Sequence, residues 1–146
     1  MKSVIRVQDS LGRGMFYSTI INGDELGVNK SIYYIDELRG LYNRHSDFPN
    51  LFDDDLLFHN SKVIGLDFSS DKDFDDPRLN PENWRFSFKN LNQFEQWVTR
   101  DEVKTLKEHG YRVFKISATE VLIGNAQNLF YIDSVIKQED ITDIFL

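Results

Sequence analysis

Apolar positions along the chain follow two rhythms, separated by a long stretch with neither. Near the N-terminus, residues 4–8 (VIRVQ) form a short apolar run centred on Arg6. They predict a strand, ended by the turn chemistry of Asp9-Ser10 and Gly12-Arg13-Gly14. Residues 15–21 alternate weakly and read as a second strand or an extended arm, closed by the turn signal Asn22-Gly23-Asp24. Ile32, Ile35, Leu38 and Leu41 then recur at helical spacing, with Gly40 near the end, and predict a helix over residues 31–42.

The rhythm lapses between residues 47 and 82. Acidic side chains outnumber basic ones there, aromatic residues punctuate the stretch, and Pro49, Pro77 and Pro81 all fall inside it. Only residues 63–68 (VIGLDF) read as a short strand, so the segment is expected to be a long acidic, irregular excursion, of a kind that commonly carries function or moves. Periodicity then returns. Residues 85–88 predict a strand, and Asn90 is a fitting N-cap for a helix from about Leu91 to Glu108. Leu91, Phe94, Trp97, Val98, Val103 and Leu106 trace its apolar face, and Asp101 offers a second cap if the helix breaks near Thr99. Gly110 suits the position just past the helix end, with Lys107 and His109 at the negative end of the helix dipole. Residues 111–116, 121–123 and 129–132 predict three further strands, and residues 134–146 a last strand or short helix. Together these elements define an α+β chain in a single domain over residues 1–146, with small, mainly antiparallel sheets and two main helices near 31–42 and 91–109.

Composition narrows the chemistry. The chain has 146 residues, a net charge of −7 and no cysteine, so disulfides, zinc–thiolate sites and thiol nucleophiles are excluded. The negative charge disfavours non-specific nucleic-acid binding and suits a basic partner. Neither an apolar leader core nor an apolar run of membrane-spanning length is visible, which points to a cytoplasmic protein without a membrane partner. Most of the 12 phenylalanines are expected in the core.

Several residues invite a chemical reading. Arg6, in the middle of the first strand, is either an outward-facing side chain or a guanidinium on a cleft floor, where its planar fork binds phosphate or ribose. Asp71, Asp73, Asp75 and Glu82 fall at the first, third, fifth and twelfth positions of a calcium-loop pattern. Asp76 replaces the turn glycine, Pro77 follows it, and the flanks read as strands, so a solvated acidic loop is the expectation and no metal is expected. His45, His59 and His109 lack the spacing of a zinc site. His109 is expected as a helix C-terminal residue, while His45 and His59 flank the acidic stretch as general-base candidates. Ser87 has no GxSxG elbow around it. The Gly-Arg-Gly turn lacks the GK[ST] of a phosphate loop.

Two of these positions and the run before the last strands carry a resemblance. Arg6 in VIRV, Ser87 in FSF and the closing run GNAQNLFYIDSVI resemble the three motifs of the ADP-ribosyltransferase fold. The resemblance implies a split β-sandwich binding NAD. In it Arg6 holds the nucleotide, Ser87 braces the nicotinamide and its ribose, and Gln127, or Asn128 one place on, stands at the third motif. Tyr17, Phe86 or Phe88 would supply a stacking wall. The family's third residue is a glutamate, which stabilises the cationic transition state. An amide hydrogen-bonds but brings no charge, so the resemblance implies weak or altered transfer activity, with Glu120 as a nearby substitute carboxylate. The opening IRVQDSLGRGMFY and the helix KNLNQFEQW also resemble small bacteriophage and bacterial proteins, implying a bacterial or phage-infected cytoplasm. The alternative function is a non-enzymatic, acidic phage-type protein that binds and inhibits a basic host protein.

Overall fold

A computed structural model describes residues 1–15, 32, 35–45, 54–66, 76–80 and 83–146. Six strands form two three-stranded antiparallel sheets: β1 (Lys2–Gln8), β2 (Trp84–Ser87), β3 (Arg112–Ala118), β4 (Val121–Leu122), β5 (Asn128–Tyr131) and β6 (Val135–Asp140). The strand orders are β1-β3-β6 and β2-β5-β4. Among the described residues one backbone bridge joins the sheets, between β1 and the residue after β2. Ile5 N donates to Phe88 O at 3.0 Å, and Phe88 N donates to Ile5 O at 2.8 Å. Four helices accompany them among the described residues: α1 (Arg39–His45), α2 (Asp55–Val63), α3 (Leu91–Trp97) and α4 (Arg100–Glu108). The α+β class read from the sequence is the class observed.

Strand alternation assigns the faces. Ile5, Val7 and Val113 point from the first sheet into the main core, where they meet Leu38, Leu41, Phe94, Val98, Val103, Leu106 and Phe145. Phe94 is the centre of this layer, fully buried, with Phe88 and Phe145 edge-on at centroid distances of 5.2 Å each. On its other face the first sheet packs Val4, Ile116 and Ala118 against Phe130 of the second sheet. The second sheet turns its outer face, with Trp84, Leu129 and Tyr131, toward Leu57 of α2 and Leu66 beyond it. Among the described residues the layers are thus helices, sheet, sheet and α2. Arg6 lies on the inner face of the first sheet, in register with Phe114. Ser87 lies on the inner face of the second, in register with Asn128.

The structure revises several boundaries. The predicted helix over 91–108 is two helices, divided at Val98, whose backbone is extended. The second cap is Thr99 rather than Asp101. Thr99 Oγ1 accepts from Glu102 N at 3.2 Å, and Glu102 Oε1 accepts from Thr99 N at 2.9 Å, forming a reciprocal capping box. Gly110 takes φ +88° past α4, as its position required. Of the helix foreseen over 31–42, residue 32 and residues 35 onward are described. Ile35 is extended, Asp36–Leu38 form a 3-10 turn, and α1 runs to His45 with Gly40 inside it.

The largest correction lies in the acidic stretch, which contains α2. Asp54 caps it, and within the helix Leu57 and Ser61 are the buried residues, too narrow an apolar stripe for periodicity to reveal. Val63 ends this helix and Gly65 (φ +85°) turns the chain, so no strand starts at residue 63. The tail supplies both foreseen alternatives, β6 and a 3-10 turn at Thr142–Phe145. Of the strand or arm expected over 15–21 only Met15 is described; the rest of it, the turn at 22–24 and the carboxylates at 71–75 and 82 lie outside the described residues.

Candidate functional site

Arg6 is 8% exposed, and its guanidinium bonds two backbone carbonyls and one side-chain amide. Nη1 donates to Phe86 O at 2.7 Å, Nη2 to Gly12 O at 3.1 Å and Nε to Gln8 Oε1 at 3.1 Å. The turn after β1 closes over it. Asp9 accepts from Leu11 N and Arg13 N and pairs with Arg13 Nε, each at 2.9 Å. Gly12 supplies φ +78°, and Gly14 returns to bridge Gln8. A Cβ on Gly14 would lie 3.2 Å from Arg6 Nη2, a tight contact that would press on the guanidinium. The Gly-Arg-Gly segment is therefore a lid on the arginine. Burial first, and then the nearby positive charge of Arg85, push Arg6 down to about 9, against a smaller upward pull from Asp9. It stays charged at neutral pH. Arg85 is in register with Phe130, on the same inner face, and Nη1 donates to Trp84 O at 3.0 Å.

Ser87 is next along. Its hydroxyl donates to Asn128 O at 3.1 Å across the β2–β5 ladder. Asn128 Oδ1 accepts from Gly124 N at 3.1 Å and closes the loop before β5. Gln127 is buried inside that loop. Arg6, Ser87 and the Gln127-Asn128 pair therefore fall on three neighbouring strands, β1, β2 and β5 or its immediate lead-in. Two side chain-to-backbone bonds stitch those strands together.

The loop over residues 123–128 is held from outside the sheets. Asp54, 2% exposed, accepts from Asn125 N at 2.9 Å, Ala126 N at 2.9 Å and Leu57 N at 3.1 Å. Burial alone would raise this carboxyl. The N–H groups of Ala126, Asn125, Leu57 and Gln127 outweigh it and hold Asp54 below the usual carboxylate range. Carbonyls of the same loop accept from Asn60 Nδ2 (Ile123 O, 2.8 Å), Lys89 Nζ (Gly124 O, 2.7 Å) and Gln93 Nε2 (Ala126 O). Sequence reasoning passed over Asp54, Lys89 and Gln93. Asp54 was hidden in an acidic run, though an Asx residue before an apolar segment was a usable capping signal.

Other predicted residues stand apart. Phe88 faces the helix-side core, where its ring meets Phe94 at an interplanar angle of 79°, so it does not line the face that holds Arg6. Phe86 is 41% exposed and in register with Leu129, on the outer face of the second sheet. Tyr17 and the side chain of His45 lie outside the described residues. Glu120 Oε1 pairs with Arg78 Nη2 at 2.7 Å. His59 is exposed. His109 caps α4 through Nδ1, 2.9 Å from Thr105 O. Among the described residues no three His, Asp or Glu side chains gather to hold a metal ion, and no helix is long and apolar enough to cross a membrane.

Two small antiparallel sheets bridged at one point, with a buried arginine under their junction, define a small α+β protein. The family described as Bacteriophage T4 Y00F protein matches residues 1–142, and the chain belongs to that family. No curated protein and no solved structure matches the chain.

Proposed function

We propose that this domain binds an anionic nucleotide, of the NAD or ADP-ribose type, against the inner face where β1, β2 and β5 adjoin. One observation carries the reading. Two guanidiniums, Arg6 and Arg85, belong to that face, and among the described residues no carboxylate forms an ion pair with Arg6. A buried positive charge is costly when carbonyls alone solvate it, and a pyrophosphate would compensate it. Ser87 and Gln127 stand on the neighbouring strand and loop, with groups suited to ribose and amide recognition. The amide at residue 127 brings no negative charge to a developing oxocarbenium ion, and Glu120 is engaged by Arg78. An ADP-ribosyltransferase-like site of this composition favours binding over transfer.

Thermal shift with NAD and with ADP-ribose, beside incubation of labelled NAD with the protein and a host lysate, tests this. The reading expects a saturable rise in melting temperature and little transferred label. Unchanged melting at millimolar nucleotide would remove it.

A second reading draws on membership of a phage protein family and the net charge of −7: an acidic protein docking on a basic host protein. Its expected signature is a host partner retained at low salt and released at high salt. Retention of none at low salt would end it.

A further inference from the structure

The loop over residues 123–128 is unusual in how it is held. Its backbone engages side chains from three places that do not belong to the sheets: Asp54 and Asn60 at α2, Lys89 between β2 and α3, and Gln93 on α3. Consecutive N–H groups at residues 125, 126 and 127 converge on one carboxylate, a concave arrangement that suits an anion. The chain itself supplies that anion from 71 residues away in sequence. The approach is tight. A Cβ on Gly124 would lie 2.3 Å from Gln127 O, 2.6 Å from Asp54 Oδ2 and 2.8 Å from Leu57 Cβ. With the carboxylate in place, the conformation at Gln127 and the start of β5 follow from α2, since the loop's own side chains supply only the Asn128–Gly124 bond among these contacts.

We propose that Asp54 is a positioning residue of the nucleotide site, setting the loop that carries Gln127 and Asn128 so that these face a ligand in one fixed arrangement. This rests on the reading of that loop as part of the site. Asp54 touches no ligand; it acts through the backbone it cradles. The acidic stretch that charge alone would assign to solvent or to a partner thus contributes its most buried described carboxylate to the site. The titratable groups on the elements packed around it are Asp55, His59 and Lys62 on α2 and Lys89, whose ammonium bonds the adjacent Gly124 carbonyl.

The test uses the full chain, labelled with 15N. Amide protons of Asn125, Ala126 and Leu57 bonded to one carboxylate should shift together with pH, with a shared midpoint below that of an ordinary aspartate. Separate midpoints, or a shared midpoint at or above the ordinary value, would overturn the clamp. Asp54→Asn should abolish the shared titration and weaken NAD or ADP-ribose binding at least tenfold by calorimetry, and Asp54→Glu should restore part of it. Wild-type affinity in Asp54→Asn would overturn the positioning role. Should Asp54→Asn fail to fold, the wild-type titration and Asp54→Glu decide the matter. Failure of the wild-type protein to bind either nucleotide would refute the site, and with it the positioning role, while the amide titration would still report whether the clamp exists.

Discussion

Replacing Gly124 by alanine puts the loop geometry to a direct test. The backbone φ of Gly124 is not in the left-handed region, so the effect is one of space. The new methyl would sit 2.3 Å from Gln127 O and 2.6 Å from Asp54 Oδ2. Relief to an ordinary carbon–oxygen contact of about 3.3 Å requires a shift of roughly 1 Å by a backbone carbonyl or by the carboxylate. A shift of that size stretches the bonds from Asn125 N and Ala126 N, each 2.9 Å long. Hydrogen bonds to a charged group contribute about 1.5–3 kcal/mol each, and overpacking adds about 1–3 kcal/mol. The entropy that alanine removes from the unfolded chain returns about 0.4–1 kcal/mol. If the two bonds are half lost, the net destabilisation is about 3 kcal/mol, a large part of a typical total of about 5–15 kcal/mol. Urea unfolding followed by the fluorescence of Trp84 and Trp97 should show the midpoint falling by more than about 1 M at a slope of about 1–3 kcal/mol per molar. A loss under about 1 kcal/mol would refute the tight-approach argument.

Three further outcomes follow from the packing and the caps. Phe94→Ala empties the centre of the helix-side core, where Phe94 is fully buried between Phe88 and Phe145, and should cost about 3–5 kcal/mol in urea unfolding; a cost near 1 kcal/mol would mean the layer is not packed as described. Thr99→Ala removes the capping box of α4 and should cost about 0.5–2 kcal/mol with little change elsewhere in the circular dichroism, whereas no loss would contradict the cap. Asp54 is held below its unfolded value, so its stabilising contribution is complete above the ordinary carboxylate range of about 4 and is lost as pH falls through the lower, folded value. The stability gap between wild type and Asp54→Asn should therefore be widest near neutral pH and narrow below about pH 4; a gap independent of pH would contradict that assignment.

Much of the architecture was legible because local signals and burial agree. β1 reads as a strand since every residue from Val4 to Gln8 is buried, Arg6 and Gln8 on one face bonding each other. Asn90 and Gly110 mark helix ends by side-chain and backbone chemistry that needs no tertiary partner. What stayed hidden depends on distant partners. α2 buries a narrow stripe and is fixed by Asp54, Leu57 and Asn60 meeting a loop more than 60 residues later. The sequence reading allows a break near Thr99 with Asp101 as the cap; the break falls at Val98 and the cap is Thr99, and here the missed signal was local, a threonine followed three residues later by Glu102. Arg6 and Ser87 could be named as candidates, yet apart from the Gln8 side chain their partners, the carbonyls of Phe86, Gly12 and Asn128, are backbone atoms with no residue-type signal.

The nucleotide reading turns on whether a ligand reaches the face between the sheets. Titrating the 15N-labelled wild-type chain with NAD and mapping amide shifts tests that without any substitution that could disturb the buried arginine. The account predicts saturable shifts concentrated at Arg6, Arg85, Ser87, Gln127 and Asn128. An unchanged spectrum at millimolar NAD, or shifts confined to α3 and α4 on the far side of the first sheet, would contradict it.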